Sequence, residues 1–166
     1  MAIKGYRWYK TDGEHRLHPV TTKIGTADDH IIAPATCYNH ESCELGWRMR
    51  NASVPPTPDH GCGYYGYYTM AGALLRGHAH LVSQTNTALV EILAWGRMQH
   101  HRWGFRAERI ALSAVFVAGP ADLEIADRYL CNKRSWDEAM EMLTVAEARK
   151  LWDMQERYRS DDRRRY

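Results

Sequence analysis

Apolar and polar positions alternate most persistently between Thr87 and Val117, TALVEILAWGRMQHHRWGFRAERIALSAVFV. Period-two patterning with β-branched and aromatic residues predicts strands, here two of them joined by a polar, histidine-bearing turn. On the first, Val90, Ile92, Ala94 and Gly96 share one face, and Leu89, Glu91, Leu93 and Trp95 the other. On the second, Ile110, Leu112, Ala114 and Phe116 alternate with smaller residues. A helix is the competing reading, because Ala and Leu are common here, but the alternation favours a hairpin.

The same rules order the rest of the chain. Residues 3 to 20 predict another hairpin. Tyr6, Trp8 and Lys10 alternate with Arg7 and Tyr9, Asp12-Gly13 supplies the turn, and Leu17 and Val20 return to the core. Thr21 to Ala33 reads as loop. Tyr64 to Tyr68 is a short aromatic strand. Met70 to Leu81 has the apolar spacing of a short amphipathic helix, with Ala71, Leu74, Leu75 and His78 on it. Ala121 to Leu130 predicts a helix whose face is Leu123, Ile125, Ala126 and Tyr129. Ser135-x-x-Glu138 and Thr144-x-x-Glu147 both have the capping-box form. One helix or two therefore run from about Trp136 to Tyr158, with Leu143, Ala146, Leu151, Met154 and Tyr158 able to pack on the body or on another copy.

These elements define an α+β protein: a small antiparallel sheet or partly open barrel, a cysteine-rich loop and a C-terminal helical segment. Residues 1–120 form the β-rich domain, with the Cys/His loop at 34–63. Residues 121–158 are helices packing on the same domain, and 159–166 are a basic tail. A chain of 166 residues that is 45% hydrophobic can bury one sizeable core.

Net charge changes the picture little. At +2 it argues against a protein that coats nucleic acid, while leaving room for a local basic patch. Met1 to Lys10 contains no apolar signal segment, and no run approaches the length of a membrane span, so a cytoplasmic protein with no membrane partner is expected. Aromatic composition is more informative. Ten Tyr and six Trp stand against two Phe, and rings with a polar handle favour half-wet sites and interfaces. A core with semi-exposed rings is the plain reading, and a binding surface is the sharper one.

From Pro34 to Gly63 the chain is irregular, and Pro55, Pro56 and Pro58 exclude a regular helix locally. So long a loop needs something to hold it. Cys37, Cys43, His60 and Cys62 could bind a structural zinc as a closed Cys3His set, with His40 competing for the place of His60. Buried thiols are the plain alternative. His78 and His80 would point about 200° apart on a helix and read as surface or capping residues.

The turn Gln99 to Gly104 carries the densest chemistry. His100 and His101 could do acid–base work near neutral pH, but no nucleophile or carboxylate pair stands at a fixed spacing from them. A polar hairpin end is the simpler reading, and Arg106 and Glu108 share a face where they could form an ion pair. The expected contact surface comprises Tyr64, Tyr65, Tyr67, Tyr68, Arg97, His100, His101, Trp103 and Arg106.

The order Gly5-Tyr6-Arg7-Trp8, Ala35-x-Cys37, a proline stretch, Gly61-Cys62-Gly63-Tyr64-Tyr65-Gly66-Tyr67, Trp95-Gly96-Arg97 and Gly104-Phe105-Arg106-Ala107-Glu108-Arg109-Ile110-Ala111-Leu112 resembles small proteins of actinobacteria and their bacteriophages. The resemblance covers roughly residues 3 to 117. In that family a Cys-x-Cys-Gly segment stands where this chain has His60-Gly61-Cys62-Gly63, and a histidine stands where it has Asn51; Cys43 or His40 could replace that ligand. The resemblance implies an actinobacterial or phage origin and carries over no activity. Together these features lead us to expect a non-enzymatic interaction protein, phage-encoded and directed at a host protein, with a homodimer through the C-terminal helix as an option. The alternative is a nucleic-acid binder using aromatic rings with Arg7, Arg97, Arg102 and Arg106. A metal- or histidine-dependent hydrolase built on His100 and His101 ranks third.

Overall fold

The computed structural model of the protein describes residues 1–19, 63–77 and 86–163. Strand β1 (Ile3–Thr11) turns through Asp12 into β2 (Leu17–Pro19). The short strand β3 (Tyr64–Tyr67) leads into one α-helical turn, α1 (Met70–Gly72), which widens into a π-helical turn at Ala73–Gly77. The long hairpin is β4 (Thr87–His100) and β5 (Gly104–Val117). Then come α2 (Pro120–Arg128), β6 (Asn132–Ser135), α3 (Trp136–Glu141) and α4 (Val145–Arg163). The fold is α+β.

The β1–β2 turn is built by one carboxylate. Asp12 accepts hydrogen bonds from the amides of Glu14 and Arg16, and His15 takes the positive φ of 57° that closes the turn. Leu17 then enters the core, and its amide donates to the Tyr129 hydroxyl at 3.0 Å, tying the hairpin to the end of α2.

β1 pairs with β4 from Ile3–Ala94 to Lys10–Thr87, β4 pairs with β5, and β5 pairs with β3 from Tyr64–Ala107 to Tyr67–Gly104. β3 returns to β1 through the single pair Tyr6–Tyr67. The four strands thus form a hydrogen-bonded ring that falls short of a regular barrel. β2 extends the sheet beyond β1, and β6 lies parallel beside β5, the one parallel pairing in an otherwise antiparallel sheet among the described residues. That pairing follows from α2, which carries the chain back so that β6 runs in the direction of β5.

Two buried clusters fill the fold. One gathers Tyr9, Leu17, Tyr64, Val90, Ile92, Phe105, Ile110, Val115 and Ile125; the other places Tyr6, Trp8, Leu89 and Phe116 against Leu74, Ala139 and Leu151 from the helices. Because the sheet is covered on both faces, alternate residues of β1 are buried on either side. Trp8 is anchored by its indole N–H, which donates to the Ala73 carbonyl at 3.1 Å inside the π-helical turn.

Two bulges correct the simple alternation. In β5, Glu91 faces Ala114 while Ile92 faces Leu112, so Ser113 is the extra residue. Ile110 and Val115 consequently belong to the first cluster and Phe116 to the second, rather than sharing one face. In β4, Gly96 and Arg97 together oppose Glu108. Gly96 has φ +82°, and the Arg97 amide donates to Glu108 Oε2 at 3.0 Å. Glu108 also lies 3.5 Å from Arg109. This bulge re-aims the strand end that carries His100 and His101.

The helical region departs from expectation in detail. Both capping boxes form, through Ser135–Glu138 and Thr144–Glu147, so there are two helices, α3 and α4. In α2, Ile125 and Ala126 are buried but Leu123 is exposed; Asp122 turns inward instead and accepts from the amides of Ala118 and Gly119. Leu151 packs into the second cluster, so this part of the apolar stripe is spent within the chain, while Ala146 is exposed. α4 runs to Arg163, further than the sequence pattern indicated. Among the described residues no helix is long and apolar enough to cross a membrane.

Candidate contact surface at the hairpin end

Three segments meet at the end of the ring where β4 turns into β5. Glycines make the meeting possible. A Cβ on Gly5 would lie 2.6 Å from Phe105 Cζ, and one on Gly66 2.7 Å from the same atom. A Cβ on Gly104 would lie 2.2 Å from the Gly66 carbonyl oxygen. The fully buried Phe105 ring therefore closes the ring of strands only because β1 and β3 present bare backbone to it. The short glycine-containing motifs around residues 5, 66 and 104, far apart in sequence, are one interlocked packing unit.

On this base stands an aromatic and cationic group. The amide of His101 donates to the Gly104 carbonyl at 2.8 Å within the turn, and the amide of Tyr68 to the Trp103 carbonyl at 3.2 Å, which ties the hairpin tip to the end of β3. Tyr68 Oη and His100 Nδ1 are 2.5 Å apart and share a hydrogen bond; their rings lie nearly parallel. Tyr65 stacks on His101 and meets Tyr67 edge-on with centroids 5.0 Å apart. Two adjacent histidines are thus engaged by two different tyrosines.

Arg106 donates from Nε to His101 Nε2 at 3.1 Å and from Nη2 to Gln99 Oε1. A guanidinium has donors only, so His101 Nε2 is the accepting nitrogen. Arg7 donates to the Tyr65 carbonyl at 3.1 Å and lies over the Tyr9 ring. Trp103 is 40% exposed at the tip, with the Arg76 guanidinium 3.4 Å and the Arg102 guanidinium 4.5 Å from its ring centroid. Burial, and after it the neighbouring Tyr65, push the Tyr67 phenol up to about 12; the same two causes raise Tyr68.

Of the residues expected on this surface, Tyr65, Tyr67, Tyr68, His100, His101 and Trp103 are brought together. Tyr64 is not among them: it is 5% exposed and belongs to the core, because alternate residues of β3 point into the ring. Arg106 is also buried and acts beneath His101 rather than at the surface. Arg97 belongs to the bulge, beside Glu108. Cys37, Cys43, His60 and Cys62, with His40, Asn51, His78 and His80, lie outside the described residues.

Arg76 and Gln99 were absent from the expected surface, and a signal for this region stands in the sequence. No Asp or Glu occurs from Tyr64 to Val90 or from Ile92 to Ala107. The near-neutral total hides that separation. Elsewhere on the described surface cations sit against carboxylates: Arg16 on Asp12 and Glu14, Lys133 on Asp127, Lys4 and Arg134 on Glu91. At the hairpin tip Arg76 and Arg102 lie on an indole instead.

No protein-family model, no curated protein and no solved structure matches the chain. The fold and this surface stand on the geometry alone.

Proposed function

We propose that the protein is a non-enzymatic binding protein that presents the Tyr65–Tyr67–Tyr68–His100–His101–Trp103 end of its strand ring to an acidic host macromolecule. One observation carries this reading: the chain concentrates half-buried and exposed rings with arginines at one end, and the described segments 64–77 and 92–107 that build it contain no carboxylate. Aromatic and arginine side chains are the types that dominate contact energies, and their guanidiniums here are pre-ordered on rings or backbone, which reduces the entropy lost on binding. The histidines support the same reading. Each is engaged by a tyrosine, and no serine, cysteine or carboxylate stands beside them as a nucleophile or partner base among the described contacts.

The likeness to actinobacteriophage proteins supports a host partner and a phage origin. Cys37, Cys43, His60 and Cys62 remain our proposed ligands for a structural zinc in the 34–63 loop. Native mass spectrometry with and without a chelator tests that assignment; a folded protein with no metal mass would remove it.

The contact surface is tested by affinity capture from an actinobacterial lysate, using wild type and a Trp103→Ala/Arg102→Gln variant of unchanged melting temperature. The reading expects a partner that wild type retains and the variant loses. Identical captures by both proteins would overturn it. Turnover of a bound polymer by wild type, abolished in His100→Ala/His101→Ala, would replace it with the hydrolase reading.

A further inference from the structure

Resting on that contact surface, we infer that its ligand is a single-stranded polynucleotide, with arginines meeting phosphates and the exposed rings meeting unpaired bases. Three features of the hairpin end point the same way. First, charge is complementary among the described residues: Arg7, Arg76 and Arg102 come from β1, the π-helical turn and the hairpin tip, and residues 64–77 and 92–107 contain no carboxylate. Those described segments set no like charge against a polyanion.

Second, Arg76 and Arg102 lie on the Trp103 ring, and neither forms an ion pair with a carboxylate among the described residues. A guanidinium on an indole keeps its in-plane N–H donors directed outward. Those donors match phosphate oxygens in pairs. An arginine already committed to a carboxylate would have to break that pair first, as Arg16 would from Asp12.

Third, flat rings recur at the same end. Tyr65, Tyr67 and Tyr68 are half-buried and Trp103 is exposed at its rim, with His100 and His101 stacked among them. Every base has a π-face, so a basic surface interleaved with rings binds single strands with little sequence preference. Paired bases hide those faces in their own stack. This is what separates the ligand from duplex DNA, whose recognition needs a reading element in a groove. It also separates it from an acidic protein, which offers carboxylates without a succession of flat rings.

The experiment is fluorescence anisotropy with labelled oligonucleotides: a single-stranded DNA and a single-stranded RNA of one mixed sequence, the corresponding duplex, and polyglutamate as competitor. Wild type is expected to bind the single strands more tightly than the duplex, and polyglutamate is expected to compete poorly. Affinity should fall with salt at a log–log slope of about −0.7 for each phosphate neutralised. Arg76→Gln/Arg102→Gln should flatten that slope by about 1.4. Trp103→Ala should weaken single-strand binding on the order of ten-fold, and Trp103→Tyr should restore most of it. Melting temperatures of the variants separate lost contacts from lost folding.

Equal affinity for duplex and single strand, or displacement by polyglutamate at matched charge, would overturn the base-stacking inference. So would binding that Trp103→Ala leaves unchanged. The lysate capture, repeated after nuclease treatment, distinguishes this failure from failure of the contact surface. A partner lost to nuclease supports the polynucleotide. A protein retained after nuclease, and lost by the Trp103→Ala/Arg102→Gln variant, overturns the polynucleotide and keeps the surface. Captures indifferent to the variant overturn both.

Discussion

Gly66→Ala is the sharpest probe of how the ring closes. Gly66 lies within β3 and does not have a positive φ, so its backbone can accept alanine. In open space the change would stabilise by about 0.4–1 kcal/mol, through lower entropy of the unfolded chain. The new methyl has no open space. It would lie 2.7 Å from Phe105 Cζ and 2.9 Å from Ile92 Cδ1, well inside van der Waals contact. Phe105 and Ile92 are both fully buried, so neither can swing into solvent. Overpacking of this kind costs about 1–3 kcal/mol. Less the backbone gain, the net loss should be about 1–2 kcal/mol. The assay is urea unfolding, read as a change in midpoint at constant m. Phe105→Leu removes the outer ring atoms that the methyl strikes. In that background Gly66→Ala should cost under about 0.5 kcal/mol, giving a coupling of about 1 kcal/mol. The same cost in both backgrounds would refute the interlock of Gly66 with Phe105.

Three further outcomes follow from the same structure. Glu91 is 3% exposed, accepts from Ser113 at 2.9 Å, and has Lys4 and Arg134 at 3.4 and 3.7 Å; either cation alone can balance it. Lys4→Met or Arg134→Met should therefore each cost about 1 kcal/mol, and both together about 3–5, with Glu91→Gln in the double background recovering much of the loss; additive single costs in urea unfolding would contradict a shared counter-charge. The Asp12 carboxyl is held well below the usual carboxylate range, first by His18 and then by the Arg16 amide. A lowered folded-state value means stability that is present above the ordinary value near 3.8 and lost as pH falls towards the lowered one. Asp12→Asn should remove that acid dependence, and an unchanged profile of midpoint against pH would count against the turn assignment. Tyr67 has the opposite sign: its raised value means stability that is full below pH 10 and lost as pH rises towards about 12. Tyr67→Phe should flatten this alkaline decline, and phenolate absorbance at ordinary pH for every surface tyrosine would show that burial does not protect it.

Much of the architecture is legible in local patterning because it depends on neighbours in the chain. Alternation marked β4 and β5, Asp12-Gly13 marked the first turn, and the two boxes at Ser135 and Thr144 split the C-terminal helices; each is satisfied by groups within a few residues. The expected helix after Met70 begins as one but widens into a π turn, where the Ala73 carbonyl meets the Trp8 indole from another strand. Period-two counting failed where a bulge inserts a residue. Nothing beside Ser113 announces one, because the bulge answers to a buried Glu91 on the opposing strand.

The contact surface divides in the same way. Its residue types were visible in sequence, as were the glycine motifs around positions 5, 66 and 104. Which tyrosine faces solvent was not: Tyr64 and Tyr65 are adjacent, and only closure of the ring decides that the first is core and the second surface. Tertiary structure alone placed Arg76 on Trp103, far along the chain, and buried Arg106 beneath His101. Local preference follows from a residue's own backbone and side chain. Facing and pairing across the ring follow from where Phe105 finds room against two glycines, and that room exists only when the strands have met.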